Sequence, residues 1–207
     1  MRCRSAVSFL LGVVLAASVW PGARGQTPRV RFTYDTPLAC VEALHAGLIS
    51  ASSDQGPGGL AQPYDRLAPL IASTHDLHYI AEFTTRCHWA GFEDEGREVF
   101  VQRFERLSVI TYASRFVALS EDSFAIEISR GLDSGRTQIV ASIKREAQPG
   151  IPLEYLLHED ETGWWIINVV TDGVSDLTLK RAEYQRVLSE GPLADLLEVL
   201  DEQIAAL

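Results

Sequence analysis

The side chains able to do chemistry are few and scattered. His45, His75, His78, His88 and His158 are the groups best suited to acid–base work or metal binding near neutral pH. His75 and His78 stand three apart, so on a helix they share a face. A zinc centre needs three or four ligands, and the spacing supplies no third. The same pair fits an exposed helix start. Glu93-Asp94-Glu95 reads as a solvated helix start rather than an acid–base pair, and a cap or ion pair accounts for Asp172 as well as catalysis would. GxSxG, HExxH, P-loop and GxGxxG patterns are all missing. The chain does not read as an enzyme, and no metal or cofactor is expected.

Of the three cysteines, Cys3 lies near the start and Cys40 and Cys87 in the body. In an oxidising compartment Cys40 and Cys87 have two outcomes open to them. One is a disulfide, worth roughly 4 kcal/mol for a loop of this length. The other is a pair of buried thiols in separate helices. Neither belongs to a CxxC pair, which leaves redox chemistry or zinc without support.

The elements that would carry these residues run helices, strands, helices. Thr36-Pro37 opens a helix through Val41, Leu44 and Leu48, followed by a polar, Gly-rich loop at residues 52–59. A second helix starts at about Tyr64, with Leu67, Leu70 and Ile71 on one face. A third runs from Asp76 to about Trp89, and a longer one from the acidic run to about Phe116. That longer helix has two apolar sides. Val99, Phe100, Phe104, Leu107 and Ile110 form one stripe, and Val101, Val109, Tyr112 and Phe116 another. Either it crosses the middle of the core or one side lines a cavity.

Between residues 123 and 170 the pattern alternates with a period of two, broken by turns at Asp133-Ser134-Gly135, Gln148-Pro149-Gly150 and residues 160–163. Short connections imply a four-stranded antiparallel meander, its last strand apolar on both faces. Ser175 is an N-cap for a helix to Glu190, and Gly191-Pro192 separates it from a last helix. The fold class is therefore α+β, a four-stranded antiparallel sheet that needs helices over one face.

Residues 1–25 stand apart. Arg2 and Arg4 precede an uncharged apolar stretch at residues 6–20, and Ala23 and Gly25 supply the small side chains of a signal-peptidase site. The stretch is shorter than the ~20 residues of a membrane span. The expectation is a secretory signal peptide cut after Gly25, leaving one domain at residues 26–207. Losing Arg2, Arg4 and Arg24 takes the formal charge from -10 to -13. So acidic a body repels phosphate backbones and anionic leaflets, which argues against nucleic-acid binding and limits membrane contact to a transient one.

Two segments carry a resemblance. Tyr64-Asp65-Arg66-Leu67-Ala68-Pro69-Leu70-Ile71 leads through Asp76-Leu77 to Phe100-Val101-Gln102-Arg103-Phe104-Glu105-Arg106-Leu107 and Thr111-Tyr112-Ala113. Asn168-Val169-Val170-Thr171-Asp172-Gly173-Val174-Ser175 follows Gly163-Trp164 and leads into Lys180-Arg181. Their order resembles the MlaC family, also called toluene-tolerance or Ttg-type proteins, which includes a hopanoid-associated branch. His75, Ile80 and Asn168 depart from it, standing where Phe, Met and Asp are common.

The resemblance implies a nuclear-transport-factor-like fold, helices wrapped on a curved four-stranded antiparallel sheet with an apolar cavity between them. It implies a periplasmic carrier of phospholipid or a related lipid, working between an inner-membrane ABC transporter complex and an outer-membrane lipoprotein complex to maintain outer-membrane lipid asymmetry. Hiding ~30 methylenes at ~0.8 kcal/mol each is worth on the order of 24 kcal/mol, which a shallow groove cannot match. The expected lining is Ile80, Phe83, Phe100, Phe104, Tyr112, Phe116, Tyr155, Leu157, Ile167, Val169 and Val174, each equally a candidate for plain core. Three readings compete with a phospholipid carrier: a hopanoid-transport carrier, a non-catalytic interaction module without a cavity, and a small enzyme of nuclear-transport-factor-like fold.

Overall fold

Three of the helices start where a side chain accepts a hydrogen bond from an amide of the first turn. In the computed structural model, which describes residues 34–52, 61–116, 119–145 and 148–207, helix α1 spans Pro37–Ser52. The Ala39 amide donates to Thr36 Oγ1 at 3.1 Å, and Pro37 occupies the first position, where a missing N–H loses nothing. Helix α2 is Ala61–Thr74 and α3 is Leu77–Trp89, the latter capped by Asp76, whose Oδ1 accepts from the Tyr79 amide at 3.0 Å. Helix α4, Asp94–Arg115, begins with two acids at its positive end. Helices α5, Asp176–Glu190, and α6, Leu193–Ala205, close the chain. Among the described residues no helix is long and apolar enough to cross a membrane. The expected export segment, its cut after Gly25, Cys3 and most of the loop at residues 52–59 lie outside the described residues.

The sheet has five strands rather than the four expected. Strands β1 (Phe124–Gly131), β2 (Thr137–Arg145), β3 (Gln148–Asp160), β4 (Gly163–Thr171) and β5 (Val174–Ser175) lie in that order, every neighbour antiparallel. The added strand comes from Asp172-Gly173. Both residues have positive φ, 51° and 79°, as a two-residue hairpin turn of type I′ requires. The chain folds back, pairing Val174 with Thr171 and Ser175 with Val170. The turn expected at Gln148-Pro149-Gly150 is instead the start of β3, Gln148 pairing with Arg145.

Rows of cross-strand neighbours face the helices. Ile139, Tyr155 and Val169 form one row, and Ala141, Leu153 and Thr171 the next. On the other face Arg130 donates to Gln138 at 2.6 Å and Gln138 to Glu154 at 2.5 Å, a polar ladder across three strands. Strand β4 breaks the alternation for a definite reason. Leu156 pairs with Asn168 and Leu157 with Ile166, so Ile167 is an extra residue in a β-bulge. Ile166 and Ile167 are thus both buried although consecutive.

The core lies between this sheet and the helices, built on Val41, Leu44 and Leu48 of α1, Phe100, Phe104 and Leu107 of α4, and Leu196 and Leu200 of α6. Tyr184 of α5 packs edge-on against both Phe100 and Phe104. Cys40 and Cys87 are both free thiols, against the bridge weighed from the sequence. Cys40 is buried in the core-facing side of α1, where Sγ donates to the Thr74 carbonyl at 3.4 Å, while Cys87 is exposed on α3.

The Asp172-Gly173 turn carries a prediction. Gly173→Ala places a Cβ at a φ of 79°. It is expected to lower stability by about 1–2 kcal/mol in urea unfolding, although nothing lies within 4 Å of the new carbon.

Candidate functional site

Where α2 gives way to α3, the backbone is bound directly to the sheet. The Asp76 amide donates to the Ile166 carbonyl at 3.1 Å, and His75 forms a parallel bridge with the same residue. His75 is buried, and both its ring nitrogens are occupied: Nδ1 lies 2.9 Å from Thr74 Oγ1 and Nε2 2.9 Å from Tyr112 Oη. Thr74 Oγ1 gives its own hydrogen to the Leu70 carbonyl at 2.9 Å. It must therefore accept from Nδ1–H, which leaves Nε2 to accept from the Tyr112 hydroxyl. The polarity of the whole chain follows from that one donor. On the other side of the junction, Asp76 Oδ2 meets His158 Nε2 at 2.9 Å.

This junction forms one wall of a cavity of about 250 Å³ between the helices and the sheet. Its inner end is made by His75, Leu77, Ile80, Phe104 and Ile167, all buried. Ile143, Ile151 and Val169 of the sheet and Leu177 of α5 continue the apolar wall outward. The outer end holds Arg115 and Thr171, both exposed, with Asp176 and Lys180 beside them. Grease inside and charge at the rim is the polarity of an amphiphile's binding site.

Helix α4 supplies the longest side of this wall. Phe104, Ser108, Thr111, Tyr112, Arg115 and Phe116 recur at i, i+4, i+7, i+8, i+11 and i+12, one face of the helix. The row mixes members of both apolar stripes with three polar residues, so hydrophobicity alone does not pick it out. Ser108 and Thr111 are less polar than their names suggest. Each hydroxyl donates at 2.8 Å to a carbonyl of its own helix, Phe104 and Leu107 respectively. Rings close the side of the chamber: Tyr112 stacks on Phe116 at 5.3 Å, Phe116 meets Phe124, and Phe124 stacks on His45 at 3.9 Å.

Of the residues expected to line a cavity, Ile80, Phe104, Tyr112, Phe116, Ile167 and Val169 do so. The others do not. Phe100 is fully buried between Trp89 and Tyr184. Phe83 packs outside, against Tyr79 and under the Arg181 guanidinium. Tyr155 is core, its hydroxyl 3.0 Å from His45 Nε2, and Leu157 is core beside Ile166. Val174 is 52% exposed because the hairpin turn carries it away from the core. Asn168, a departure already visible in the sequence, ties β4 to α5, its Oδ1 accepting from Ser175 Oγ at 3.1 Å.

The weighed metal pair comes apart. His75 points inward while His78 is exposed against the Trp89 ring, and no group of three metal-ligating side chains gathers among the described residues. A second hollow of about 630 Å³, more open, lies near Phe92, Glu93 and Glu95 by the turn between α5 and α6.

A helix-covered antiparallel sheet enclosing an apolar cavity with a charged rim defines a cavity-bearing α+β protein. The family model described as MlaC protein matches residues 46–202, and the chain belongs to that family. Comparison with curated proteins gives no match. Among solved structures, the chain is similar in fold to a phospholipid-binding protein from Ralstonia solanacearum, solved in complex with a phospholipid. The TM-score is 0.74 at 18% identity, over 84% of this chain and 98% of that one.

Burial sets the charge state of two histidines. It holds His75 down at about 4, against an ordinary 6.5, although Asp176 pulls the other way, and it holds His45 down at about 4. Both are neutral in the folded protein at pH 7. As pH falls from about 6.5 toward 4 the unfolded chain takes up protons that the folded one refuses, so stability is lost. At pH 5 the loss is up to about 2 kcal/mol for each histidine. Thermal melts at pH 7 and pH 5 should show it, and His75→Gln should remove about half of it.

Proposed function

We propose that the protein is a soluble lipid carrier that takes the acyl chains of a phospholipid into this cavity and leaves the head group at the charged rim. The observation that carries the reading is the gradient along the cavity, from the buried side chains of Leu77, Ile80, Phe104 and Ile167 to exposed Arg115. Membership of the MlaC family and the likeness to a structure that holds a phospholipid support it. Each methylene moved from water into such a wall gains about 0.8 kcal/mol, so the inner end supplies affinity and the rim supplies orientation.

At about 250 Å³ the cavity is slightly smaller than the ~300–1,000 Å³ of most ligand sites. Two chains therefore widen it on entry. The sheet rows are tied by ladder bonds, so the movement falls to the helices over the cavity mouth, α4 and the start of α5. The carrier works in the periplasm after export directed by residues 1–25. It exchanges lipid with an inner-membrane ABC transporter complex and an outer-membrane lipoprotein complex, without catalysing a reaction.

Organic extraction of the purified mature protein should release a stoichiometric lipid, identified by mass spectrometry. Val169→Trp fills the middle of the cavity from a half-buried position. It should cut lipid content about tenfold while the melting curve stays cooperative. An extract without lipid, together with no uptake from labelled vesicles, would end the carrier reading.

A further inference from the structure

One charge on the cavity wall has no hydrogen-bond or ion-pair partner among the described residues. The ionisable side chains there are His75, Arg115, Asp176 and Lys180, with the Tyr112 phenol beside them. Burial keeps His75 neutral and raises the Tyr112 hydroxyl well above its ordinary value. Lys180 Nζ lies 2.6 Å from Asp176 Oδ2, in the first turns of α5, and those two charges cancel. Arg115 alone makes neither a hydrogen bond nor an ion pair among the described residues. The lining thus carries one surplus positive charge in a chain whose formal charge is -10.

The position of Arg115 gives that surplus a use. It sits in the last turn of α4, where a cation suits the helix dipole, but the dipole does not require a cation at the rim of a cavity. Phe116 and Tyr112 beside it belong to the same apolar wall. A chain that enters toward Leu77 and Ile80 leaves its polar end at Arg115. A guanidinium offers a planar fork of donors that matches two oxygens of a phosphate, and it stays charged at any working pH.

We infer that Arg115 is the head-group contact for a lipid whose polar end is a phosphate of net negative charge, so that the cavity prefers anionic phospholipids to zwitterionic or uncharged lipids. The inference rests on the carrier reading above. A zwitterionic head already neutralises its phosphate with its own ammonium and gains less from Arg115. An uncharged polycyclic lipid gains nothing from it. The acidic body does not cancel the effect, because contact with Arg115 acts within hydrogen-bond distance while charges beyond about 8 Å are screened at physiological salt.

The test measures uptake by the full mature chain from vesicles of phosphatidylglycerol and from vesicles of phosphatidylcholine, with the ratio as readout. The native protein should favour phosphatidylglycerol by roughly three- to tenfold, the range for an exposed charge-assisted contact. Arg115→Gln should bring the ratio to about one, Arg115→Glu should invert it, and Arg115→Lys should restore part of it. Lys144→Gln removes the same charge from an exposed β2 position outside the lining and should leave the ratio unchanged. A ratio that Lys144→Gln lowers as much as Arg115→Gln would overturn the inference in favour of general attraction to the vesicle. A native ratio near one would overturn it while leaving the carrier reading intact, whereas no uptake of either lipid would end both. Inorganic phosphate at millimolar concentration should not compete. If it abolished the preference, the site would be one for free phosphate instead.

Discussion

The three residues Thr74, His75 and Asp76 hold the architecture at one point. From this short link between two helices, Cys40 of α1 reaches the Thr74 carbonyl, Tyr112 of α4 reaches the His75 ring, His158 of β3 reaches Asp76, and the Ile166 carbonyl of β4 takes the Asp76 amide. Polar groups taken this far from water must find partners, since leaving one unmet costs about 1–3 kcal/mol. Here each satisfies another from a different element. The junction therefore fixes the spacing between the helices and the sheet, and the cavity is the space that this spacing leaves.

That constraint explains why a histidine stands in an apolar wall. A phenylalanine there would fill volume but leave the Tyr112 hydroxyl facing grease without an acceptor. The neutral imidazole accepts a hydrogen bond from that hydroxyl and passes the polarity through Thr74 to a backbone carbonyl, so the wall is dry without being wholly apolar. The same economy operates on α4, where Ser108 and Thr111 turn their hydroxyls back on their own helix. A cavity suited to hydrocarbon is thus built partly from residues that a hydrophobicity count would exclude.

The sequence made the helices legible because their ends carry local chemistry: Thr36-Pro37, Asp76 and Ser175 each cap the helix expected of them. The sheet was legible where inward and outward residues alternate. At β4 the strand was legible as apolar on both faces, but the bulge that buries Ile166 and Ile167 together was not, and β5 was missed because its signal was the Asp172-Gly173 pair rather than any apolar pattern. For the cavity, apolar periodicity found Phe104, Tyr112 and Phe116 but could not separate Phe100, one turn earlier, from them. It also passed over Arg115, since polar side chains on a mixed face read as solvent-exposed. Which apolar residues line a void and which fill it depends on tertiary spacing, and that spacing is set at the His75 junction.

Lipid carriage through this cavity requires acyl chains to lie along its inner wall. A phospholipid carrying a photoactivatable diazirine near the end of one acyl chain tests this directly, with the crosslinked residues located by peptide mass spectrometry after loading and irradiation. Crosslinks should fall on Leu77, Ile80, Phe104 and Ile167 at the buried end of the cavity. Crosslinks confined to Val174, Leu179 or the open hollow beside Phe92 would place the lipid on the surface and contradict the account.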